Sequence, residues 1–328
     1  MDWTTIFVTT VEAAIGLETV VYALAAIGIN IQFGYTGLLN FGQAAFLGVA
    51  AYGLAVTVAT FGLPFWLGIV IGLIATVILA FLLGIPTLQL RADYLAIVTI
   101  AAAEIVRLVF RSVAFKDVFG GSDGRQGFSD GFYALNPFPR GEYGIGPIGF
   151  NERVLWILVV GWILIVLACL LVYLLMKSPW GRVLKAIRED EDAVRSLGKS
   201  VFSYKMQSLV LGGVIGCLGG FVYALGNASV QPDVFGTELT FYAYTIVILG
   251  GAARVLGPVL GAAIFWVLLV FIGNTLSELV AAGYITFMTT TQVGPVRFML
   301  VGLGLVLLLI FRPQGIFGDK REIAIDAR

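Results

Sequence analysis

The chain has 328 residues, 59% of them hydrophobic and 12% charged, with a formal net charge of zero. Its mean hydropathy of +0.97 is more apolar surface than a water-soluble domain of this length can hide, and the balanced charge gives no electrostatic footprint for nucleic acid. Histidine is absent, which excludes imidazole catalysis, imidazole metal sites and histidine pH switches in one step. These properties predict an all-α polytopic membrane protein of eight to ten transmembrane helices, some of them Gly-broken or re-entrant. It forms one transmembrane domain over residues 1–328. The 41 glycines suit helices packed closely in lipid. Cys169 and Cys217 lie apart in separate apolar runs and read as core residues.

Along the chain, residues 1–17 are mildly apolar and contain Glu12. They read as an interfacial segment or as the first part of a long helix. No basic residue precedes this run, so a cleaved signal peptide is not expected. Residues 18–33 are the first clear apolar run. Residues 34–53 (GYTGLLNFGQAAFLGVAAYG) are apolar but broken by glycine, and carry the amides Asn40 and Gln43. Residues 63–83 form a clean span, and residues 94–110 another, unusual in holding Glu104 and Arg107. A loop rich in glycine, proline and aromatics follows over 114–152; its GGSDG reads as a turn rather than a cation loop, because no regularly spaced carboxylates follow. Spans are predicted over 154–176, 202–225, 241–251 (short and ending in glycines), 257–272 and 296–311, with a Gly212/Gly216/Gly220 stripe in the second of these. Residues 236–261 are again broken by glycine. Two glycine-broken segments in the two halves of a chain fit the interrupted helices of transporters, where unwound backbone lines a path; glycine used for packing alone explains them equally.

Residues 178–204 (SPWGRVLKAIREDEDAVRSLGKSVFSY) are the long polar interruption of the second half. Ser178-Pro179 predicts a helix start and Gly198 a helix stop. Val183, Ile187, Val194 and Leu197 define one narrow apolar face, which Asp190 interrupts. Such a helix lies in the headgroups or serves as a lever gripped by another protein. SLGKS at 196–200 mimics the end of a phosphate-binding loop, but Ala193 stands where the first glycine belongs and a helix precedes it, so nucleotide binding is rejected. Of the 20 basic residues, seven lie in 177–205 and four in 312–328. The positive-inside rule makes both segments cytoplasmic and the 114–152 loop external. Four predicted crossings separate the two basic segments, in keeping with this.

Glu104, Arg107 and Arg111 share one helix face. They read either as an ion pair near the outer end of a span or as part of a solute path. Asn40 and Gln43 likewise read either as interhelical hydrogen-bonding groups or as polar lining of that path. No constellation for covalent catalysis appears in the spans.

Taken together, the stretches GYTGLLNFGQAAFLGVAAY, TLQLRADYLAIVTIAAAEIVRL, FGGSDGRQGF, GRVLKAIREDEDAVRSLG, VILGGAARVLGPVLGAA and FRPQGIFG resemble the permease subunits of ABC importers for branched-chain amino acids, in their LivM-like branch. The resemblance covers about residues 27–318. It implies a transport subunit without its own ATPase site, located in the bacterial plasma membrane. The implied partners are a second, LivH-like permease subunit, two ABC ATPases that hydrolyse the ATP, and an extracytoplasmic solute-binding protein. It also implies that residues 178–204 dock on the ATPase, with Arg188, Glu189, Asp190, Asp192, Ala193 and Gly198 as the coupling residues. Asn40, Gln43, Glu104 and Arg107 are the expected lining of the path. Urea or a short amide is the alternative solute, and an ATP-independent channel or secondary carrier the alternative class.

Overall fold

The computed structural model describes residues 3–90, 92–286 and 288–318. The helices in chain order are α1 (Trp3–Ile15), α2 (Leu17–Ile29), α3 (Gln43–Ala55), α4 (Phe65–Thr87) and α5 (Ala92–Arg111). The loop over 114–152 carries two single turns, α6 (Lys116–Phe119) and α7 (Asp130–Tyr133). There follow α8 (Glu152–Lys177), α9 (Pro179–Glu189), α10 (Glu191–Ser196), α11 (Val201–Asn227), α12 (Thr237–Gly250), α13 (Gly257–Ala281) and α14 (Val293–Phe311). Among the described residues, seven helical stretches are long and apolar enough to cross a membrane. Helix α5 is 20 residues long but carries Glu104, Arg107 and Arg111, and α12 is a shorter apolar helix. These two account for the expectation of eight to ten. Residues 3–17 continue into the first long stretch, with a joint at Gly16, so they form the first part of a long helix; residues 1 and 2 lie outside the described residues.

Helix α2 is apolar on every face and buried from Thr19 to Ile29, as a helix at the centre of a bundle must be. It packs against α11 and α3. The glycine stripe of α11 makes this contact possible. A Cβ on Gly220 would stand 2.2 Å from the Leu47 carbonyl oxygen of α3, and one on Gly212 2.6 Å from the Gly28 carbonyl oxygen of α2. Without side chains, backbones approach closely and dispersion contacts replace the missing hydrophobic drive between helices in lipid. Around this core, α4, α8 and α14 turn large apolar side chains outward, among them Trp66, Ile78, Val166, Leu174, Leu303 and Ile310. In water such a surface would be an aggregation site; in a bilayer it is the ordinary lipid-facing side.

The loop over 114–152 is ordered by short pairings. Strand β1 (Arg125–Gln126) pairs antiparallel with β4 (Ser229–Val230), and β2 (Glu142–Ile145) with β3 (Ile148–Asn151). The GGSDG stretch is a turn: Gly120, Gly121 and Gly124 all have positive φ. A Cβ on Gly124 would meet the Val230 carbonyl oxygen at 1.9 Å.

Candidate functional site

The glycine-broken segment 34–53 is a helix that ends, unwinds and restarts. Beyond Ile29 the chain widens into a π turn over Asn30–Tyr35, the kind of bulge that recurs at functional positions. Gly37 then turns with φ +72°, and residues 37–42 have no regular structure before α3 begins. Unwound backbone inside a membrane domain must find partners in the protein, and here the π turn, α5, α11 and α12 supply them. Thr99 Oγ1 of α5 accepts from the Phe41 amide at 3.0 Å. Thr240 Oγ1 of α12 accepts from the Ala44 amide at 2.9 Å. Tyr244, one turn on, donates its hydroxyl to the Asn40 carbonyl at 2.9 Å. Asn40 Nδ2 donates to Gln32 Oε1 at 2.9 Å, and Asn40 Oδ1 accepts from the Gly42 amide. Gln32 Nε2 in turn donates to the Leu209 carbonyl of α11, and the Thr36 and Ser208 hydroxyls stand 2.8 Å apart. Gln43, fully buried, donates to the Gly212 carbonyl at 3.2 Å, while its Oε1 has no protein partner. Asn40 and Gln43 therefore both bond between helices in the core.

The second broken segment, 236–261, ends α12 at Gly250 and restarts at Gly257. Between them Gly251 and Ala253 hold φ of +103° and +57°. For alanine this conformation costs roughly 1–2 kcal/mol, so something must hold it. Asn30 does: its Oδ1 accepts from the Ala253 amide and its Nδ2 donates to the Arg254 carbonyl, both at 2.8 Å. One side chain from the π turn of the first break thus clasps the backbone of the second. Gly34 allows the approach, since a Cβ there would lie 2.7 Å from the Ala253 nitrogen. The C-terminal FRPQGIFG stretch closes the far side. The Ile316 amide donates to the Leu249 carbonyl at 2.9 Å, and Gly315 (φ +79°) would carry a Cβ 2.3 Å from the Ile248 carbonyl oxygen. Residues 319–328 of the expected cytoplasmic tail lie outside the described residues.

The polar segment 178–204 reaches the first break directly. Arg188, half-buried in the last turn of α9, donates from Nη1 to the Gly34 carbonyl at 2.6 Å, and Lys185 lies over the Tyr35 ring. The rest of the segment is tied to α11: Trp180 Nε1 donates to Gln207 Oε1 at 2.7 Å, and Lys205 pairs with Glu191. The segment is two helices rather than the single one its spacing predicts. Asp190 divides them with extended dihedrals (φ −156°, ψ 105°), and its Oδ1 accepts from the Asp192 and Ala193 amides at 2.9 and 3.0 Å. It caps the N-terminus of α10, with the acidic Glu191 and Asp192 in the first turn complementing the helix dipole. Ser178 starts α9 as expected, but its hydroxyl donates to Leu175 instead of capping. Ile187 and Val194 are buried together with Val201, whereas Leu197 is 79% exposed. The predicted apolar face therefore ends at Val194, four residues before Gly198, which stops the helix with φ +75°. Glu189, Asp190, Asp192, Ala193 and Gly198 all lie exposed, so most of the expected docking residues share a free surface.

On α5, Arg107 grips Glu104 with two bonds, at 2.5 and 2.9 Å, and also reaches Asp233 at 2.5 Å. Arg111 stands 3.3 Å from the same Asp233. The sequence reading found the ion pair but missed Asp233, 126 positions away on another element. It also missed Asn30, Gln32, Thr36, Ser208, Thr240 and Tyr244, single polar groups in apolar runs with no period to betray them. The buried cysteines are free thiols.

Comparison with known proteins then gives the family. Residues 13–311 match the model of the branched-chain amino acid transport system permease component. The chain is 30% identical over 94% of its length, and 70% of the relative's, to the high-affinity branched-chain amino acid transport system permease protein LivM of Salmonella typhimurium. The LivM of Escherichia coli matches at 30% identity over 92% of this chain and 69% of its own length. A probable LivM from Methanocaldococcus jannaschii is 25% identical over 91% of both chains. With the interrupted helices and the polar segment bonded to one of them, these matches mean that the chain belongs to the family of branched-chain amino acid transport permease components.

Proposed function

We propose that this chain is one of two membrane subunits of an ATP-driven importer that carries leucine, isoleucine or valine from an extracytoplasmic binding protein into the cytoplasm. Its companions are a LivH-like permease and two ATPases that bind and hydrolyse the ATP; this chain makes no covalent chemistry. The bacterial plasma membrane is its location, with segments 178–204 and 312–328 on the cytoplasmic side.

The observation that carries the mechanism is the Arg188–Gly34 hydrogen bond. A segment with an exposed acidic and glycine-ended surface is joined, by one charge-assisted bond, to the unwound part of a core helix. Movement of the docked segment pulls on residues 34–42, and the Asn30 clasp passes the displacement to residues 251–256. The two breaks then move as a pair and change access to the path. In this reading Asn40 and Gln43 shape the inner end of the path from within the core. Glu104 and Arg107 hold its outer end through Asp233.

The test is reconstitution of the chain with its sister permease and its ATPases in vesicles. Solute uptake should require ATP and binding protein together; uptake without any ATPase overturns the importer reading in favour of a channel or carrier. Competition between leucine and urea separates the two solute classes. Within the segment, the double change Asp192→Lys with Gly198→Trp should abolish co-purification of the ATPase while the membrane fold persists. Neither position touches the bundle: no heavy atom lies within 4 Å of a Cβ at Gly198, and Asp192 bonds only within α10.

A further inference from the structure

Two hollows meet at Phe202, on the outer side of α11. The first is a polar cleft of about 550 Å³ beneath the first break, lined among others by Gln89, Glu191, Arg195 and Lys205. The second is an apolar groove of about 490 Å³ that runs along α11 past Met206 and Val210 to Val214, with Phe81 of α4 as its other wall. The groove spans twelve residues of helix from Phe202, roughly 18 Å at 1.5 Å per residue. That is close to the roughly 15 Å of one leaflet's hydrocarbon. The few polar groups of the groove are already engaged: Gln207 accepts from Trp180 and donates to Ser203. Two cations and one carboxylate line the cleft: Lys205 pairs with Glu191, and Arg195 with Asp192 in an exposed contact of little strength, so each cation keeps further N–H donors for an anion. Residues 177–205 around them hold seven basic against four acidic residues.

We propose that the two hollows together hold one anionic phospholipid, its phosphate in the cleft at Lys205 and Arg195 and an acyl chain in the groove along α11. Basic pockets between helices at the cytoplasmic face bind anionic headgroups through this combination of charge and adjoining apolar surface. Three of the cleft's side chains, Glu191, Arg195 and Lys205, belong to the polar segment or to the first turns of α11. A lipid seated there braces α10 against the bundle. The proposal rests on the cytoplasmic placement of this end but not on the identity of the transported solute.

The experiment is native mass spectrometry of the detergent-extracted complex, titrated with phosphatidylglycerol and, separately, with phosphatidylcholine. Wild type should retain phosphatidylglycerol in preference. Arg195→Gln and Lys205→Gln should each lower that preference about fivefold, and together about 25-fold, at about 1 kcal/mol per cation. Lys205→Arg should keep it. Val210→Trp fills the groove without altering charge and should weaken retention of both lipids. Four results overturn the proposal. They are equal retention of the two lipids by wild type, unchanged preference in the doubly neutralised variant, displacement of the lipid by inorganic phosphate alone, and disulfide capture of the sister permease by Val210→Cys. The third would make the cleft a site for small solution anions, and the fourth would make the groove a subunit interface. If the neutralised variants fail to assemble, Val210→Trp and the wild-type lipid comparison still decide between these outcomes.

Discussion

The two helix breaks differ in what holds them. The first, residues 36–42, is filled with side-chain hydrogen bonds from the π turn, α5, α11 and α12, and none of its residues but Gly37 has a positive φ. The second, residues 251–256, holds two residues at positive φ and is fixed by Asn30 on one side and by the 315–318 backbone on the other. The first break is thus a polar joint inside the bundle, and the second is a strained turn kept in place from outside. Only the first is touched by the polar segment, through Arg188. On the proposed mechanism the pair consists of a driven element and a following one, and substitutions should separate the two roles.

The largest effect is expected at the part they share. Asn30→Leu leaves the Ala253 amide and the Arg254 carbonyl without this partner, at about 1–3 kcal/mol each, and releases a strained turn. Thermal unfolding in detergent should fall sharply and transport should be lost together with it. A variant of native stability would show that the clasp is dispensable. Next in size, Arg188→Ala removes a charge-assisted bond worth about 1.5–3 kcal/mol, but from a coupling step rather than from the core. Transport should fall by about an order of magnitude or more while ATPase binding and melting temperature stay near wild type. Arg188→Lys should rescue it only in part, because a single ammonium cannot reproduce the planar guanidinium. If melting and transport fall in proportion, Arg188 is a structural tie and the driven-and-following distinction is lost.

The converse variant is Gly315→Val. It forces a branched side chain to positive φ against the Ile248 carbonyl, at a cost of roughly 1–2 kcal/mol or more. It should lower stability with coupling per folded molecule retained, measured as uptake normalised to ATP hydrolysed. Smallest is Lys185→Ala, which removes a cation–π contact with Tyr35 worth about 0.5–1 kcal/mol. A modest fall in transport alone would place the α9 face, as well as Arg188, among the driving contacts.

Both breaks were legible in the sequence because glycine interrupts an apolar run, and that signal needs no partner to be read. Their clasp was not. Asn30 sits inside an apolar run and bonds 223 positions away, and a single amide carries no period. Asp233 escaped for the same reason: it stands in an irregular connection, and its role exists only once α5 is beside it. Asp190 is the opposite case, since its signal was present. Aspartate followed by two acids is a helix start, but the apolar spacing of Ile187 and Val194 runs through it and suggested continuity. The coupling residues are proposed from resemblance; the meeting of Arg188 with Gly34 required the fold, because the two are 154 positions apart.

The division at Asp190 has a mechanical consequence. A straight helix would transmit a displacement of its far end undiminished along its length. Here α10 and α9 meet at one extended residue, so a load on α10 becomes a torque about that residue. Arg188 lies two residues from the fulcrum, on the short arm of the lever. On the proposed mechanism, large swings of α10 would therefore reach the Gly34 carbonyl as small, forceful ones, a gearing suited to a tightly packed core in which little movement is available.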